Sequence, residues 1–235
     1  MELDRTGSMK RVLIISGGKI EDEFASAYIR EQKFDLVIAA DSGIEFLHRH
    51  RIKPDILVGD FDSADEKTVA FYRQDQEIEF REFQPEKDDT DTEIAVLLAI
   101  EKGAEEVHLL GATGSRIDHM MANVYLLGLL LEKRIPAFLV DRGNRVRLIN
   151  EKTVLRKDTQ YGDYVSLLPF MGEVTGLTLR GFKYPLLDYT LGGCHSIGIS
   201  NEILEDEAVI SMESGRLIVM ESKDDFNTEN EKISQ

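Results

Sequence analysis

Residues 35–63 read DLVIAADSGIEFLHRHRIKPDILVGDFDS, and this stretch decides the fold. Asp35 to Ala40 is a short apolar run without breakers, the signature of a buried strand. Ile44 to His50 follows with helical spacing, Pro54 restarts the chain, and Asp55 to Val58 is a second apolar run. Strand, helix and strand at this rhythm place the two strands parallel in one sheet. The pattern continues on both sides. Upstream, Lys10 to Ser16 is a strand ending in Gly17-Gly18, and Glu21 to Gln32 is helical. Downstream lie a helix over Ala64 to Gln74, a strand over Glu77 to Phe83, and a helix over Thr90 to Lys102. Thr90 or Asp91 caps this last helix and Gly103 stops it. Val107 to Leu110 is a strand leading into the glycine-rich 111–114 loop. Asp118 to Lys133 is the longest apolar helix, Pro136 closes it, and Ala137 to Val140 is one more strand. The expected architecture is α/β: an N-terminal doubly wound, Rossmann-like parallel sheet covered by helices.

Near Asn150 the character changes. Short β-type runs over Val165 to Leu168, Val174 to Leu179, Ala208 to Met212 and Leu217 to Met220 are separated by Gly, Pro, Asn and Asp turns. They predict a C-terminal antiparallel β-sandwich domain. The expected boundaries are 9–148 for the α/β domain and 149–222 for the β-sandwich, with 223–235 a polar tail. Residues 1–8, ending in Gly7-Ser8 before Met9, read as a cloning remnant ahead of a natural start.

Of the 235 residues, 42% are hydrophobic, which excludes disorder over most of the chain. The 44 acidic residues against 28 Lys and Arg give a net charge of -16, which argues against nucleic acid or an anionic membrane as partner. A single cysteine, Cys194, excludes an internal disulfide and a multi-thiolate metal site, so a reducing, cytoplasmic location is expected. No apolar run is long enough to span a bilayer.

The position of the acids is more informative than their number. Asp41 follows the second strand in AADSG, and Asp60 and Asp62 follow the third in GDFDS. Asp88, Asp89 and Asp91 start a helix in KDDTD, and Asp118 opens another after the glycine loop. Four segments thus deliver carboxylates to the carboxyl edge of one parallel sheet, where open α/β sheets bind ligands. Clustered carboxylates repel unless cations hold them, and an oxygen-only donor set suits Mg²⁺ carrying substrate phosphates. An extended GDFDS segment would point Asp60 and Asp62 to the same side. Turn formation or helix capping is the reading for Asp65 and Asp89, but it accounts poorly for Asp60, Asp62 and Asp91 together. Arg116, in GATGSRIDH, is either a phosphate ligand or the structural partner of Asp118. His119 is either a ligand donor or a satisfied interior histidine, and Lys87 is a further candidate phosphate ligand. His48 and His50 read as solvated helix residues, and His108 as a residue on a strand face.

AADSG, VGDFDS, KDDTD, GATGSRIDHMMAN, GFKYPL and SIGISNE, in this order, resemble the bacterial thiamin pyrophosphokinase family from about Met9 to Ser222. The resemblance implies ATP as co-substrate, thiamine as acceptor, Mg²⁺ as cofactor, and AMP and thiamine diphosphate as products. It implies a homodimer with active sites at the subunit interface. It assigns metal and diphosphate binding to Asp60, Asp62 and Asp91, with Asp88 and Asp41 close by. It assigns the nucleotide side to Arg116, Asp118 and Asn123, with Lys87 and His119 beside them, and the thiamine side to Tyr184, Ser200 and Asn201. Animal and fungal relatives carry Trp where this chain has Tyr184. An aromatic face there suits the thiamine cation. No nucleophilic Ser/His/Asp or Cys/His set competes with phosphoryl-transfer chemistry. The rival readings are a pyrophosphokinase for another heterocyclic alcohol, such as a pterin, and a non-catalytic nucleotide or thiamine sensor.

Overall fold

The computed structural model describes residues 9–82, 89–114, 116–192 and 196–224. The chain forms two compact units, one ending at Arg142 and the other beginning at Gly143.

The first unit holds six strands: β1 (Arg11–Ile15), β2 (Leu36–Ala40), β3 (Ile56–Gly59), β4 (Glu79–Glu82), β5 (Glu106–Leu110) and β6 (Ala137–Val140). They lie in the order β4-β3-β2-β1-β5-β6, all parallel. The connecting helices are α1 (Asp22–Gln32), α2 (Gly43–His50), α3 (Glu66–Tyr72), α4 (Asp91–Glu101) and α5 (Ile117–Glu132). The central strands are apolar along their length because helices cover both faces: Val12, Leu13, Ile14 and Ile15 are all fully buried. The helix boundaries follow local chemistry. Asp65 caps α3 by accepting from the Thr68 amide at 3.0 Å, and Thr90 caps α4 by accepting from the Glu93 amide at 3.2 Å. Gly103, at φ +77°, ends α4 in the left-handed conformation.

The strand order matters most for function. From β1 the chain builds outward to β4 on one side, then crosses back to place β5 against the other side of β1. The β1/β5 junction is therefore the topological switch point, where the loops leaving two adjacent strands part and open a crevice.

Two of the histidines are more enclosed than their sequence context implies. His48 packs edge-on against Phe71 at 4.7 Å, and His50 lies 4.7 Å from the Phe46 ring with Nε2 3.0 Å from Asp22. Both are half-buried rather than solvated. His108 is buried on β5 as expected of a strand-face residue, between the Tyr28 hydroxyl (2.6 Å) and the Glu106 carboxylate (2.8 Å).

In the second unit, β7 (Asn144–Ile149), β13 (Leu217–Ser222) and β9 (Tyr164–Pro169) form one antiparallel sheet in that order. The other sheet has the order β11 (Leu186–Leu191), β10 (Val174–Arg180), β12 (Glu207–Ser211) and β8 (Thr153–Arg156). Leu155, Val165, Leu167, Leu177, Ile210 and Val219 come from both sheets into one core. This is the expected antiparallel β-sandwich. Among the described residues, its only helical element is a 3₁₀ turn over Lys157–Thr159.

Three of its strands, β7, β8 and β11, were not predicted, and β7 moves the division between the units from 148/149 to 142/143. In β7 (NRVRLI), Arg145 reads as a polar interruption, yet its guanidinium makes a bidentate pair with Glu221, itself only 1% exposed. The strands β8 and β11 are the two edges of their sheet, and each buries a single residue, Leu155 or Leu191. Edge strands half-open to water carry little hydrophobic pattern.

Candidate active site

The site is built at the carboxyl ends of β1, β2, β3 and β5. Asp41 directly follows β2 in a left-handed conformation (φ 51°), held by its amide bonding to the Val58 carbonyl of β3 at 2.8 Å. Because β2 and β3 are neighbours, the turn after β3 must arrive beside Asp41. That turn is not extended: Phe61 has φ 58°, and the Asp62 amide donates to Asp60 Oδ1 at 3.2 Å. Buried Phe61 packs edge-on against Phe80 of β4 and anchors the turn, so both carboxylates point outward. The expected same-side arrangement of Asp60 and Asp62 is thus reached by a tight turn and not by strand alternation.

Carboxylate oxygens of Asp41, Asp60 and Asp62 all lie within 4.8 Å of one another. Ser63 Oγ sits 2.6 Å from both oxygens of Asp41 and fixes the plane of that carboxylate. The charge of Asp60 raises the Asp62 carboxyl above its ordinary range, with desolvation and then Asp41 adding to the effect. Asp91, the first residue of α4, contributes to the same field from outside the triplet. A Cβ on Gly59 would lie 3.4 Å from Asp91 Oδ1, an ordinary contact that places Asp91 beside the end of β3, and it is the φ of +142° that favours glycine there. The structure therefore groups Asp41 with Asp60 and Asp62, and leaves Asp91 at the margin.

Beside the triplet, a cleft of about 460 Å³ opens at the β1/β5 switch point. Its walls are the Gly17-Gly18 loop after β1 and the Gly111–Gly114 loop after β5, joined by a bond from the Gly18 amide to the Gly111 carbonyl at 2.9 Å. Asp41, Asp60, Asp91, Arg116, His119 and Asn123 also line it, so six of the residues singled out in the sequence meet in one place. The start of α4 faces the cleft through Thr90, Asp91 and Thr92, offering backbone N–H groups suited to phosphate. Asn123 is buried, and its Nδ2 donates to the Ala112 carbonyl at 2.8 Å, which fixes the glycine loop.

Arg116 donates to both oxygens of Asp118, at 3.2 and 2.6 Å, and holds that carboxyl down to about 2. Both side chains are well exposed, so the pair adds little to stability, and Arg116 can exchange it for an anionic ligand. His119 is exposed, which removes the interior alternative. Asp65 is the cap of α3, as its position suggested. The cap of α4 is Thr90 rather than Asp89, and Asp89 lines the cleft. Lys87, Asp88 and Cys194 lie outside the described residues. Tyr184, Ser200 and Asn201 belong to the second unit. Tyr184 is 58% exposed, and Asn201 is buried with its side chain bonded to the Tyr184 backbone. Ser200 has φ 56° and donates its amide to Ser166 Oγ at 3.0 Å.

Two parts of the site escaped the sequence reading. Ser63 is the last letter of GDFDS, and a serine after two aspartates reads as turn chemistry. Gly17-Gly18 reads as an ordinary strand end, and only the strand order shows that it faces the second glycine loop.

A doubly wound sheet with aspartates and two glycine loops at its carboxyl edge, carried in one chain with an antiparallel β-sandwich, places this chain among the α/β proteins that bind ligands at a topological switch point. Comparison narrows this class. Residues 30–139 match the family profile "Thiamin pyrophosphokinase, catalytic domain", and residues 152–217 match "Thiamin pyrophosphokinase, vitamin B1 binding domain". The chain is 32% identical to the thiamine pyrophosphokinase of Bacillus subtilis (strain 168) over 221 residues, covering 92% of this chain and 100% of that protein. The crystal structure of the Bacillus subtilis thiamine pyrophosphokinase superposes with a TM-score of 0.82 at 29% identity, over 92% of this chain and 100% of that one. That of the Geobacillus thermodenitrificans thiamin pyrophosphokinase gives 0.79 at 30% identity, over 92% and 99%. The chain belongs to the thiamin pyrophosphokinase family, and it is an enzyme of that activity, thiamine diphosphokinase. No helix among the described residues is long and apolar enough to cross a membrane.

Proposed function

We propose that the protein transfers the terminal diphosphate of ATP to the hydroxyl of thiamine in a Mg²⁺-dependent reaction, giving thiamine diphosphate and AMP. The new bond joins the thiamine oxygen to the β-phosphorus. The bridge between the α- and β-phosphates breaks, and AMP departs while the hydroxyl proton is lost. The observation that carries this reading is the convergence of Asp41, Asp60 and Asp62 beside a glycine-walled cleft. Three hard oxygen donors in mutual repulsion fit a Mg²⁺ site, and Asp91 lies within their field. A bound Mg²⁺ would neutralise phosphate charge and orient the diphosphate for in-line displacement.

The remaining work falls to the chain's own groups. Amides of the glycine loops and of the α4 N-terminus receive phosphate oxygens, Arg116 exchanges Asp118 for phosphate charge, and Asn123 holds the loop in shape. Lys87 and Asp88, next in sequence to the α4 start, extend the same set, with Asp118 and His119 on the nucleotide side. Tyr184, with Ser200 and Asn201, serves thiamine, the exposed ring meeting the cationic heterocycle. A cytoplasmic homodimer with active sites at the subunit interface belongs to the same reading.

Incubation with ATP, Mg²⁺ and thiamine should release AMP and thiamine diphosphate in equal amounts. ADP as the sole nucleotide product would overturn the proposal. The Asp62→Asn variant should lose about 100-fold or more in turnover with its melting temperature preserved. An unaffected rate would remove Asp62 from the site.

A further inference from the structure

We propose that Asn201 is a positioning residue for Tyr184: its carboxamide clamps the Tyr184 peptide and so aims the exposed ring at thiamine. The inference rests on the reading that Tyr184 meets thiamine, and it adds what that reading lacks, the group that determines where the ring stands.

Asn201 is 5% exposed, and its own backbone is anchored to β9: the Val165 amide donates to the Asn201 carbonyl at 2.7 Å, and the Asn201 amide donates to the Val165 carbonyl at 3.0 Å. Its side chain then reaches across to the segment leading into β11. Oδ1 accepts from the Tyr184 amide at 2.9 Å and from the Glu202 amide at 2.9 Å, while Nδ2 donates to the Tyr184 carbonyl at 2.8 Å. Only one orientation of the carboxamide satisfies these partners, because N–H groups face one end and a carbonyl the other. The side chain thus stands in for a neighbouring strand, pairing both backbone groups of one residue. That two-point hold fixes the peptide planes on either side of the Tyr184 Cα, and with them the direction of the Cα–Cβ bond.

The ring needs such a hold because little else restrains it. It is 58% exposed, and Lys183 Nζ lies 5.6 Å from its centroid, drawn toward Glu202 by an ion pair. Among the described residues Oδ1 is engaged twice and Nδ2 once, so most of the bonding capacity of the carboxamide is spent on the backbone of Tyr184 and Glu202. Neighbouring residue types cannot reproduce this. Aspartate keeps the acceptors but sets a carboxylate against the Tyr184 carbonyl, and serine is too short to reach both groups.

The test is a double-mutant cycle read by steady-state kinetics with each substrate varied in turn. Asn201→Asp should raise KM for thiamine about five- to tenfold, the worth of one lost hydrogen bond, and leave KM for ATP within twofold. Tyr184→Ala should raise KM for thiamine at least as much. Adding Asn201→Asp to Tyr184→Ala should cost nothing further. Full additivity would show Asn201 acting on thiamine independently of the ring, and would overturn the clamp. A normal thiamine KM in Asn201→Asp beside a raised one in Tyr184→Ala would also overturn it. If Tyr184→Ala binds thiamine normally, the thiamine reading of Tyr184 fails, which is a separate outcome.

The chain contains no tryptophan, so Tyr184→Trp introduces a single fluorescent reporter. Its indole should be quenched by thiamine, and its anisotropy should fall when Asn201→Asp is added; unchanged anisotropy would refute the clamp. Should Asn201→Asp not fold, Asn201→Ser, which loses the same hold without adding charge, is read by the same two assays.

Discussion

The glycine crossing at the switch point makes a quantitative prediction. A Cβ added to Gly18 would lie 2.3 Å from the Gly111 carbonyl oxygen and 3.1 Å from its carbon, with the Gly114 Cα at 3.4 Å. An ordinary carbon–oxygen contact is about 3.3 Å, so the two loops must separate by about 1 Å. The obstacle is backbone, which cannot swing aside like the end of a side chain. Overpacking of this kind costs about 1–3 kcal/mol, and the lower entropy of the unfolded alanine chain returns about 0.4–1 kcal/mol. A net loss of about 1–2 kcal/mol corresponds to a melting temperature lower by about 2–8 °C. The larger effect falls on activity, because these loops are the walls of the cleft, and a 1 Å misplacement of bound groups costs on the order of 100-fold.

Gly103→Ala provides the matched control. Gly103 has φ +77° and no atom within 4 Å of an added Cβ, so alanine there meets backbone strain alone, about 1 kcal/mol or slightly more, far from the cleft. Thermal melts and AMP-release kinetics should therefore show similar losses of stability in the two variants, with activity lost only in Gly18→Ala. Gly18→Ala with activity within twofold of the parent would refute the argument that loop contact shapes the cleft.

Two further predictions concern side-chain networks. Ser63→Ala removes the hydroxyl that holds both oxygens of Asp41, and should weaken Mn²⁺ or Mg²⁺ binding about 10–100-fold in a calorimetric titration; unchanged affinity would exclude Ser63 from the site. His108→Phe should shift acid unfolding to higher pH. The hydrogen bond from His108, working against desolvation and assisted by Arg11, holds the Glu106 carboxyl below its ordinary value of 4.5. Glu106 therefore stabilises the fold above that value, and the contribution is lost as pH falls through the lowered one. Without His108 the loss begins sooner on acidification, and an unmoved acid midpoint would refute this.

The parts of the fold legible in the sequence are those whose signal is local. The VLII run of β1 (Val12 to Ile15) is buried throughout, so composition alone declares it a central strand. Thr90 and Gly103 mark the ends of α4 through capping chemistry that needs no tertiary context. The β8 and β11 strands give no such signal, since at a sheet edge most of their residues face water. The same division holds in the site. Asp41, Asp60 and Asp62 are visible because strand ends are local features. Their grouping without Asp91 depends on β2 lying beside β3, which is a property of strand order.

Strand order also explains why the site is strained where it is. Asp41 (φ 51°) and Phe61 (φ 58°) both adopt the left-handed conformation, at about 1–2 kcal/mol each, and Gly59 at φ +142° lies between them in sequence. Without that backbone, the carboxylates leaving β2 and β3 would follow their strands outward. With it, they turn toward one another until Asp60 raises the Asp62 carboxyl. Steric strain and charge repulsion thus fall on the same few residues, and neither serves the stability of the sheet. The bond from the Asp41 amide to Val58 and the packing of Phe61 on Phe80 hold the arrangement against both. Backbone strain held in place by its surroundings clusters at functional sites, and a bound cation would relieve the repulsion among these oxygens. On the proposed Mg²⁺-dependent reading, the surplus of negative charge across the chain does not oppose phosphate binding, because the carboxylates at this edge of the sheet would hold the metal that phosphate requires.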